Sequence, residues 1–388
     1  MENVASTPAI QARPDFNERP FIVIWEVTQA CDLACVHCRA SAQPARSPLE
    51  LSTDEAKRLM DEIRDMRAPV FIFTGGDPLK RPDIYDLVEY ARDIGLRPSL
   101  SPSATPLLTR EAIAELKRRG IARLAISLDG STAEIHDAFR GVPGTFTRAI
   151  DAIRNARELG VSVQINTTVT PRNFGDLDAL ARLLATLDIV LWSAFFLVPT
   201  GRAQSSDLVS AEQFEQVFEK LYEISCHSSF DVKTTEAMHF RRYVAQRRAA
   251  VRRQTGTAPS PHLLATMPDG IGRGPLGISD GKGFVFVSHT GEVYPSGFLP
   301  LSAGNVRRQS LAEIYRQAPL FVALRDSANL KGKCGVCEFN GICGGSRSRA
   351  YAVSGSPFEA EPCCVYQPKA AATLRSAAKS WPKASWPR

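Results

Sequence analysis

Strand-like runs alternate with helix-period segments through the first half of the chain, and this alternation restricts the fold more than any other feature. The runs are FIVIWEV at 21–27, VFIFTG at 70–75, RPSLSPS at 97–103, RLAISLDG at 123–130, SVQINTTVT at 162–170 and VLWSAFFLV at 190–198. Helix starts lie between them. Ser52-Thr53-Asp54-Glu55 opens the first, Thr109-Arg110-Glu111 the third, and Thr145 precedes the fourth. Such residues offer oxygen acceptors to the unpaired N–H groups of a first helical turn. A helix carries the chain back to the starting edge of the sheet, so successive strands pair in parallel. Six such units predict an α/β protein, a partial (β/α)6 TIM-like barrel with its chemistry at the C-terminal ends of the strands. A doubly wound open sheet is the competing architecture.

The 388 residues exceed the ~250–300 at which one core stops growing, so a second unit is expected. Residues 1–20 read as an N-terminal extension, 21–205 as the barrel core, and 206–275 as a helical bridge and linker. A smaller α+β iron–sulfur domain is expected over 276–370, and a tail over 371–388. In the smaller unit, FVFVSHTGEVYPSGFL reads as two strands joined by a Thr290-Gly291 turn, with a helix over 310–326.

Nine cysteines, an odd number gathered in short-spaced groups, suit metal sites better than disulfides. Cys31, Cys35 and Cys38 form C-x3-C-x2-C directly after the first strand. Three thiolates suit a [4Fe–4S] cubane whose fourth iron is left for a ligand that is not protein. The alternative is zinc, with His37 completing a Cys3His set, although its adjacency to Cys38 suits joint tetrahedral ligation poorly. Cys334, Cys337, Cys343 and Cys363 can close a four-thiolate site, with Cys364 as a substitute for Cys363 or a bystander. Spacing alone allows either a structural zinc ribbon or a cluster there. Cys226, in a helical segment, reads as a small buried hydrophobe.

The triad after the first strand, followed by Thr74-Gly75-Gly76-Asp77-Pro78 after the second, resembles the radical S-adenosylmethionine (SAM) superfamily. The resemblance implies a [4Fe–4S] cluster that chelates SAM at its open iron and cleaves it to a 5′-deoxyadenosyl radical, which abstracts hydrogen from substrate. It also implies cofactor contacts from Gly75, Gly76, Asp77 and Pro78, from Ser101 and Ser103, from Ser127 and Asp129, from Asn166, and from Arg202 in LVPTGRA. Each of the polar residues among these also reads as a turn or capping residue. The later cysteines, with GEVYPSGF upstream and PCC downstream, resemble the SPASM extension of that family, which implies one auxiliary [4Fe–4S] cluster. Ser296 stands where many members have a cysteine of a second auxiliary cluster.

The hairpin sequence and CxHCRA look like the branch near alternative haem and haem d1 biosynthesis. That likeness implies a small-molecule, tetrapyrrole substrate, side-chain chemistry such as oxidative decarboxylation, and a flavodoxin- or ferredoxin-type reductant. Tetrapyrrole substrates are polycarboxylates, and the arginines at 241, 242, 247, 248, 252 and 253 can either bind propionates or form a solvated helix face. Peptide or small-molecule maturation and a non-catalytic iron–sulfur electron carrier are the alternative functions. A net charge of +6 is too diffuse for a nucleic-acid binder. Residues 1–20 lack a signal-like apolar stretch, and no segment reaches the ~18 apolar residues of a membrane span, so a cytoplasmic enzyme is expected.

Overall fold

The computed structural model describes residues 15–257, 271 and 277–369. Most of the expected N-terminal extension, most of the linker and the tail lie outside the described residues. The six expected strands form as β1 (Ile22–Glu26), β2 (Val70–Thr74), β3 (Pro98–Leu100), β4 (Arg123–Ser127), β5 (Ser162–Val169) and β6 (Leu191–Phe196). Four more join them: β7 (Asp231–Thr235), β8 (Phe284–Val287), β9 (Glu292–Tyr294) and β10 (Gly304–Asn305). All ten make one sheet in the order β10-β9-β8-β1-β2-β3-β4-β5-β6-β7, parallel from β8 to β7 and antiparallel at β9 and β10.

The helices are α1 (Thr53–Asp65), α2 (Ile84–Asp93), α3 (Arg110–Arg119), α4 (Ala133–Arg140), α5 (Thr145–Glu158) and α6 (Leu177–Ala185). They continue as α7 (Ala211–His227), α8 (Phe240–Thr255), α9 (Leu311–Gln317), α10 (Pro319–Arg325), α11 (Gly332–Gly335) and α12 (Arg347–Ser354). Ser52 starts α1 with a reciprocal cap: its Oγ accepts from Glu55 N at 3.2 Å, and Glu55 Oε2 accepts from Ser52 N at 2.8 Å. Thr109 caps α3 through Ala112 N at 3.1 Å. Thr145 does not cap; it is the first residue of α5, and its hydroxyl donates to Asp137.

Alternation along the strands sorts side chains onto two faces. Val23, Trp25, Phe71, Phe73, Leu124, Ile126, Val163, Ile165, Trp192, Ala194 and Val232 join helix residues such as Leu59, Ile113, Ile153 and Phe218 in one apolar core. The other face is concave and unusually polar, carrying Glu26, Thr74, Ser127, Gln164, Asn166, Ser193 and Lys233. A polar interior is what a reaction chamber needs and what a packed core avoids.

Two features depart from the sequence reading. The stretch read as a helical bridge contains β7, whose DVKTT presents one apolar residue between polar ones and so carries no strand-like apolar run. The hairpin read as opening the smaller unit extends the barrel sheet itself, with Ile22 to Trp25 of β1 in parallel register with Phe284 to Val287 of β8.

Candidate active site and cluster centres

The cysteine loop leaves β1 and runs against the turn after β2. Gly76 N donates to Thr28 O at 2.8 Å and Asp77 N to Ala30 O at 2.7 Å. A Cβ on Gly75 would lie 2.5 Å from Thr28 O, and one on Gly76 2.5 Å from Ala30 O, so the glycine pair exists because two backbones touch there. Farther on, Ala34 N and Val36 N donate to Arg140 O (3.1 Å) and Phe139 O (3.0 Å), so the loop satisfies terminal carbonyls of α4. Gly141, at φ +67°, lets the chain turn away beneath Ala34. Gly201, at φ +66°, packs the segment after β6 onto the carbonyls of Cys38 and Arg39.

Cys31, Cys35 and Cys38 meet in a small cluster with Leu33, Ala42 and Val142. Each sulfur has a hydrogen-bond partner: Leu33 N donates to Cys31 (3.4 Å), Arg140 Nη1 to Cys35 (3.7 Å), and Ala42 N to Cys38 (3.4 Å). The Ser103 hydroxyl lies 3.5 Å from Cys31 Sγ. Burial pushes the Cys31 thiol up; at Cys38 burial also opposes ionisation, but the Ala42 N–H and the Arg202 guanidinium outweigh it and bring the thiol down. Donors aimed at sulfur stabilise thiolates bound to iron. Arg202 adds a second sign of fit: its backbone N–H holds Cys38 O at 3.0 Å, while its Nε and Nη2 are buried without a partner. An uncompensated guanidinium beside the thiols suits an anionic ligand such as the carboxylate of SAM.

Among the other expected SAM contacts, Ser127 and Asn166 stand opposite each other on the concave face, with Asn166 Oδ1 accepting from Gln164 Nε2 at 2.7 Å. Ser101 N pairs with Phe73 O at 2.9 Å, and Pro78 is buried at the start of a short turn over 78–80. Two of the expected contacts are held by protein groups. Asp77 is fully buried, accepting from Thr105 Oγ1 at 2.6 Å and from Leu79 N at 3.2 Å, so it braces the loops after β2 and β3. Asp129 is also fully buried, ion-paired with Arg140 and accepting from Thr168 N at 2.7 Å, so it holds the guanidinium that reaches Cys35. Through these bonds both buried carboxylates brace the loops around the site.

Sequence reasoning missed Arg140, because α4 meets the cysteine loop only through the fold. It also missed the bridge in which Glu26 pairs with Arg39 (2.6 Å) and His289 (2.9 Å), tying β1, the cysteine loop and the β8–β9 turn. His37, the alternative zinc ligand, packs edge-on against Phe139 at 5.2 Å. Among the described residues no three Cys, His, Asp or Glu groups converge as a single metal ion requires.

Near the C-terminus a recess is lined by Cys334, Cys337, Cys343 and Cys364, with His239 and Arg242 at its wall. Cys363 is not among them. It is buried in the main apolar core, and the neighbouring Cys364 faces the recess instead. Glu361 N donates to Cys334 Sγ (3.3 Å) and Gly345 N to Cys343 Sγ (3.4 Å). Burial pushes Cys343 up to about 12 and raises Cys337 and Cys364, so four thiolates here call for the positive charge of bound iron. The buried pair Arg349–Glu361 (3.1 Å) fixes this centre to the barrel, because Arg349 also donates to Leu197 O and Phe196 O.

Ser296 donates to the buried Glu236 at 3.1 Å, and Ser346, Ser348 and Asp280 complete an oxygen cluster in which no thiol takes part. Of the arginines of α8, Arg241 donates to Ile342 O at 3.0 Å, Arg242 pairs with Glu215 and Arg247 with Glu223, while Arg252 and Arg253 are exposed.

Comparison with known proteins agrees with this layout. Residues 25–184 match the radical SAM superfamily model, and residues 279–338 match the SPASM iron–sulfur cluster-binding domain. The chain is 43% identical over 350 residues to an AdoMet-dependent heme synthase of Nitratidesulfovibrio vulgaris, covering 90% of this chain and 93% of that one. It is 31% identical to an Fe-coproporphyrin III synthase of Methanosarcina barkeri, covering 88% and 87%. Among solved structures, Streptococcus suis SuiB bound to S-adenosylmethionine shares the fold at a TM-score of 0.69 and 15% identity, covering 90% and 78%. With both models matched in the order of its two cysteine groups and a relative aligned along nearly its whole length, the chain belongs to the radical SAM superfamily and is a SPASM-bearing enzyme that uses a [4Fe–4S] cluster with SAM and an auxiliary iron–sulfur cluster.

Proposed function

We propose that this enzyme oxidatively decarboxylates propionate side chains of an iron-bound tetrapyrrole, of the iron-coproporphyrin class, in the formation of haem. The observation that carries this reading is the near-full-length identity to an AdoMet-dependent heme synthase. Cys31, Cys35 and Cys38 would hold the SAM-binding cluster, and Cys334, Cys337, Cys343 and Cys364 the auxiliary one. Arg202 would take the SAM carboxylate, with Gly75 and Gly76 shaping the methionine end and Ser101, Ser103, Ser127 and Asn166 contributing polar contacts. When bound, SAM and its cluster supply a 5′-deoxyadenosyl radical, and the auxiliary cluster supplies an electron acceptor.

Removing one hydrogen atom from the propionate carbon next to the ring, releasing CO2 and passing on one electron converts a propionate to a vinyl group with atoms and charge in balance. Arg140, Asp129 and the glycine pair fix the cysteine loop during this chemistry, and the Arg349–Glu361 pair fixes the electron-accepting end. A flavodoxin- or ferredoxin-type protein would supply the reducing electron, in the cytoplasm; among the described residues no helix is long and apolar enough to cross a membrane. Residues 21–205, with β7, act as the radical-generating unit, and 276–370 as the cluster unit built on its edge.

The test is anaerobic reconstitution with iron and sulfide, followed by incubation with SAM, a reductant and iron-coproporphyrin III. The expected products are 5′-deoxyadenosine and a tetrapyrrole lighter by one CO2 and two hydrogens per side chain, counted on the neutral acid. Cys31→Ala, Cys35→Ala and Cys38→Ala are expected to form neither. Formation of 5′-deoxyadenosine by the wild type with the tetrapyrrole unchanged would reject the substrate and leave the radical chemistry standing.

A further inference from the structure

Lys233 is the basic residue of β7, on the face turned away from the apolar core; Asp231, two residues earlier, is on that face one layer farther from the C-terminal end of the strand. Val232 beside it packs with α7, so alternation puts Lys233 on the concave face. Strand register places it in one layer of the barrel: Lys233 is opposite Ser193 on β6, Ser193 opposite Asn166 on β5, and Asn166 opposite Ser127 on β4. Ser193 Oγ and Thr235 Oγ1, 3.3 Å apart, set two hydroxyls on the same wall.

Several other interior charges are ion-paired: Glu26 with Arg39, Asp129 with Arg140, and Arg349 with Glu361. Lys233 differs. Among the described residues its ammonium has no hydrogen-bond or ion-pair partner, and the one charged group acting on it is Arg123, another cation. Desolvation, with Arg123, pulls it down to about 8. A half-buried ammonium that faces the chamber without an acidic partner is suited to an incoming anion.

We infer that Lys233 is a substrate-binding residue that takes a carboxylate of the bound substrate, and, on the tetrapyrrole reading above, a propionate. Two sources of carboxylate exist, the substrate and the methionine end of SAM, and position separates them. The SAM carboxylate must reach iron held by the loop after β1, where Arg202 stands beside Cys38 with free donors. Lys233 lies on β7, with β2 to β6 between its strand and β1 in the sheet. A propionate clamped at β7, with Ser193 and Thr235 as further donors, fixes one edge of a macrocycle while another side chain faces the radical source. Binding energy from this non-reacting group would thereby orient the reacting one.

The test uses reconstituted enzyme in wild-type, Lys233→Met and Lys233→Arg forms. Iron-coproporphyrin III binding is read from the shift of its Soret band, and SAM cleavage without substrate from 5′-deoxyadenosine. Lys233→Met is expected to weaken porphyrin binding about 10- to 100-fold, the loss of one charge-assisted contact, with uncoupled SAM cleavage within about twofold. Lys233→Arg is expected to keep most of the affinity. Removing an uncompensated cation should leave the thermal midpoint of Lys233→Met equal to or above that of the wild type, so misfolding does not mimic the effect. Equal porphyrin binding by wild type and Lys233→Met would overturn the assignment alone. A drop in SAM cleavage with porphyrin binding intact would overturn it in favour of SAM. A wild type that binds no iron-coproporphyrin overturns the tetrapyrrole reading and this assignment together.

Discussion

Arg140 joins most of the residue-scale chemistry of the SAM site. Its guanidinium reaches Cys35 Sγ at 3.7 Å, its charge is held by the buried Asp129, and the backbone N–H of Asp129 in turn donates to His136 Nδ1 at 3.0 Å. That last bond requires a neutral imidazole, and burial and the nearby Arg140 hold His136 down at about 4 against 6.5 in the unfolded chain. The unfolded state therefore takes up this proton first, so stability is fully present above about pH 6.5 and is lost as pH falls through 4. His136→Asn, with an amide oxygen as acceptor, is expected to lose less thermal stability between pH 7 and pH 5 than the wild type does; equal losses would contradict this. At the auxiliary centre the discriminating pair is Cys363 and Cys364. Cys364→Ala should lower bound iron from about eight to about four per chain, and Cys363→Ala should leave it unchanged. The reverse pattern would restore Cys363 as the ligand. Sequence spacing located a fourth thiol but not which of two neighbours faces the recess, because side-chain direction depends on backbone path.

At the scale of elements, the cysteine loop has no regular structure of its own and is shaped by what it touches. The Gly75-Gly76 turn presses on one side, the end of α4 on another and Gly201 on a third. Gly76→Ala would drive a methyl to 2.5 Å from Ala30 O, and such overpacking costs about 1–3 kcal/mol. We expect this variant to keep its far-UV spectrum and a single cooperative thermal transition with a lowered midpoint, while losing the electron paramagnetic signal of the reduced N-terminal cluster; an unchanged signal would show that the loop tolerates the shift. The six barrel strands were legible because Val, Ile, Phe and Trp recur on their helix-facing sides. β7 was not, because its concave-facing residues are polar and leave Val232 as its apolar core contact. The polarity that hides the strand from a sequence reading also places Lys233 in the chamber. Asp77 and Asp129 were recognisable as site residues by position, yet their roles as braces appear only when Thr105, Thr168 and Arg140 are brought to them.

For the whole molecule, one sheet carries both cluster centres. β8 pairs with β1, the strand that launches the SAM-site cysteines, while Arg349 and Glu361 tie the auxiliary cysteines to the end of β6. A substrate bound on the concave face therefore lies on a frame shared by the radical source and the electron acceptor. The central claim is that this frame removes hydrogen from a tetrapyrrole propionate. The most direct measurement is incubation with SAM, reductant and iron-coproporphyrin III deuterated at the propionate carbons attached to the ring, with mass spectrometry of the 5′-deoxyadenosine formed. One deuterium in 5′-deoxyadenosine, matched by a vinyl group and CO2, is the expected result. Vinyl product accompanied by unlabelled 5′-deoxyadenosine, or turnover of SAM with the deuterated side chain untouched, would contradict it.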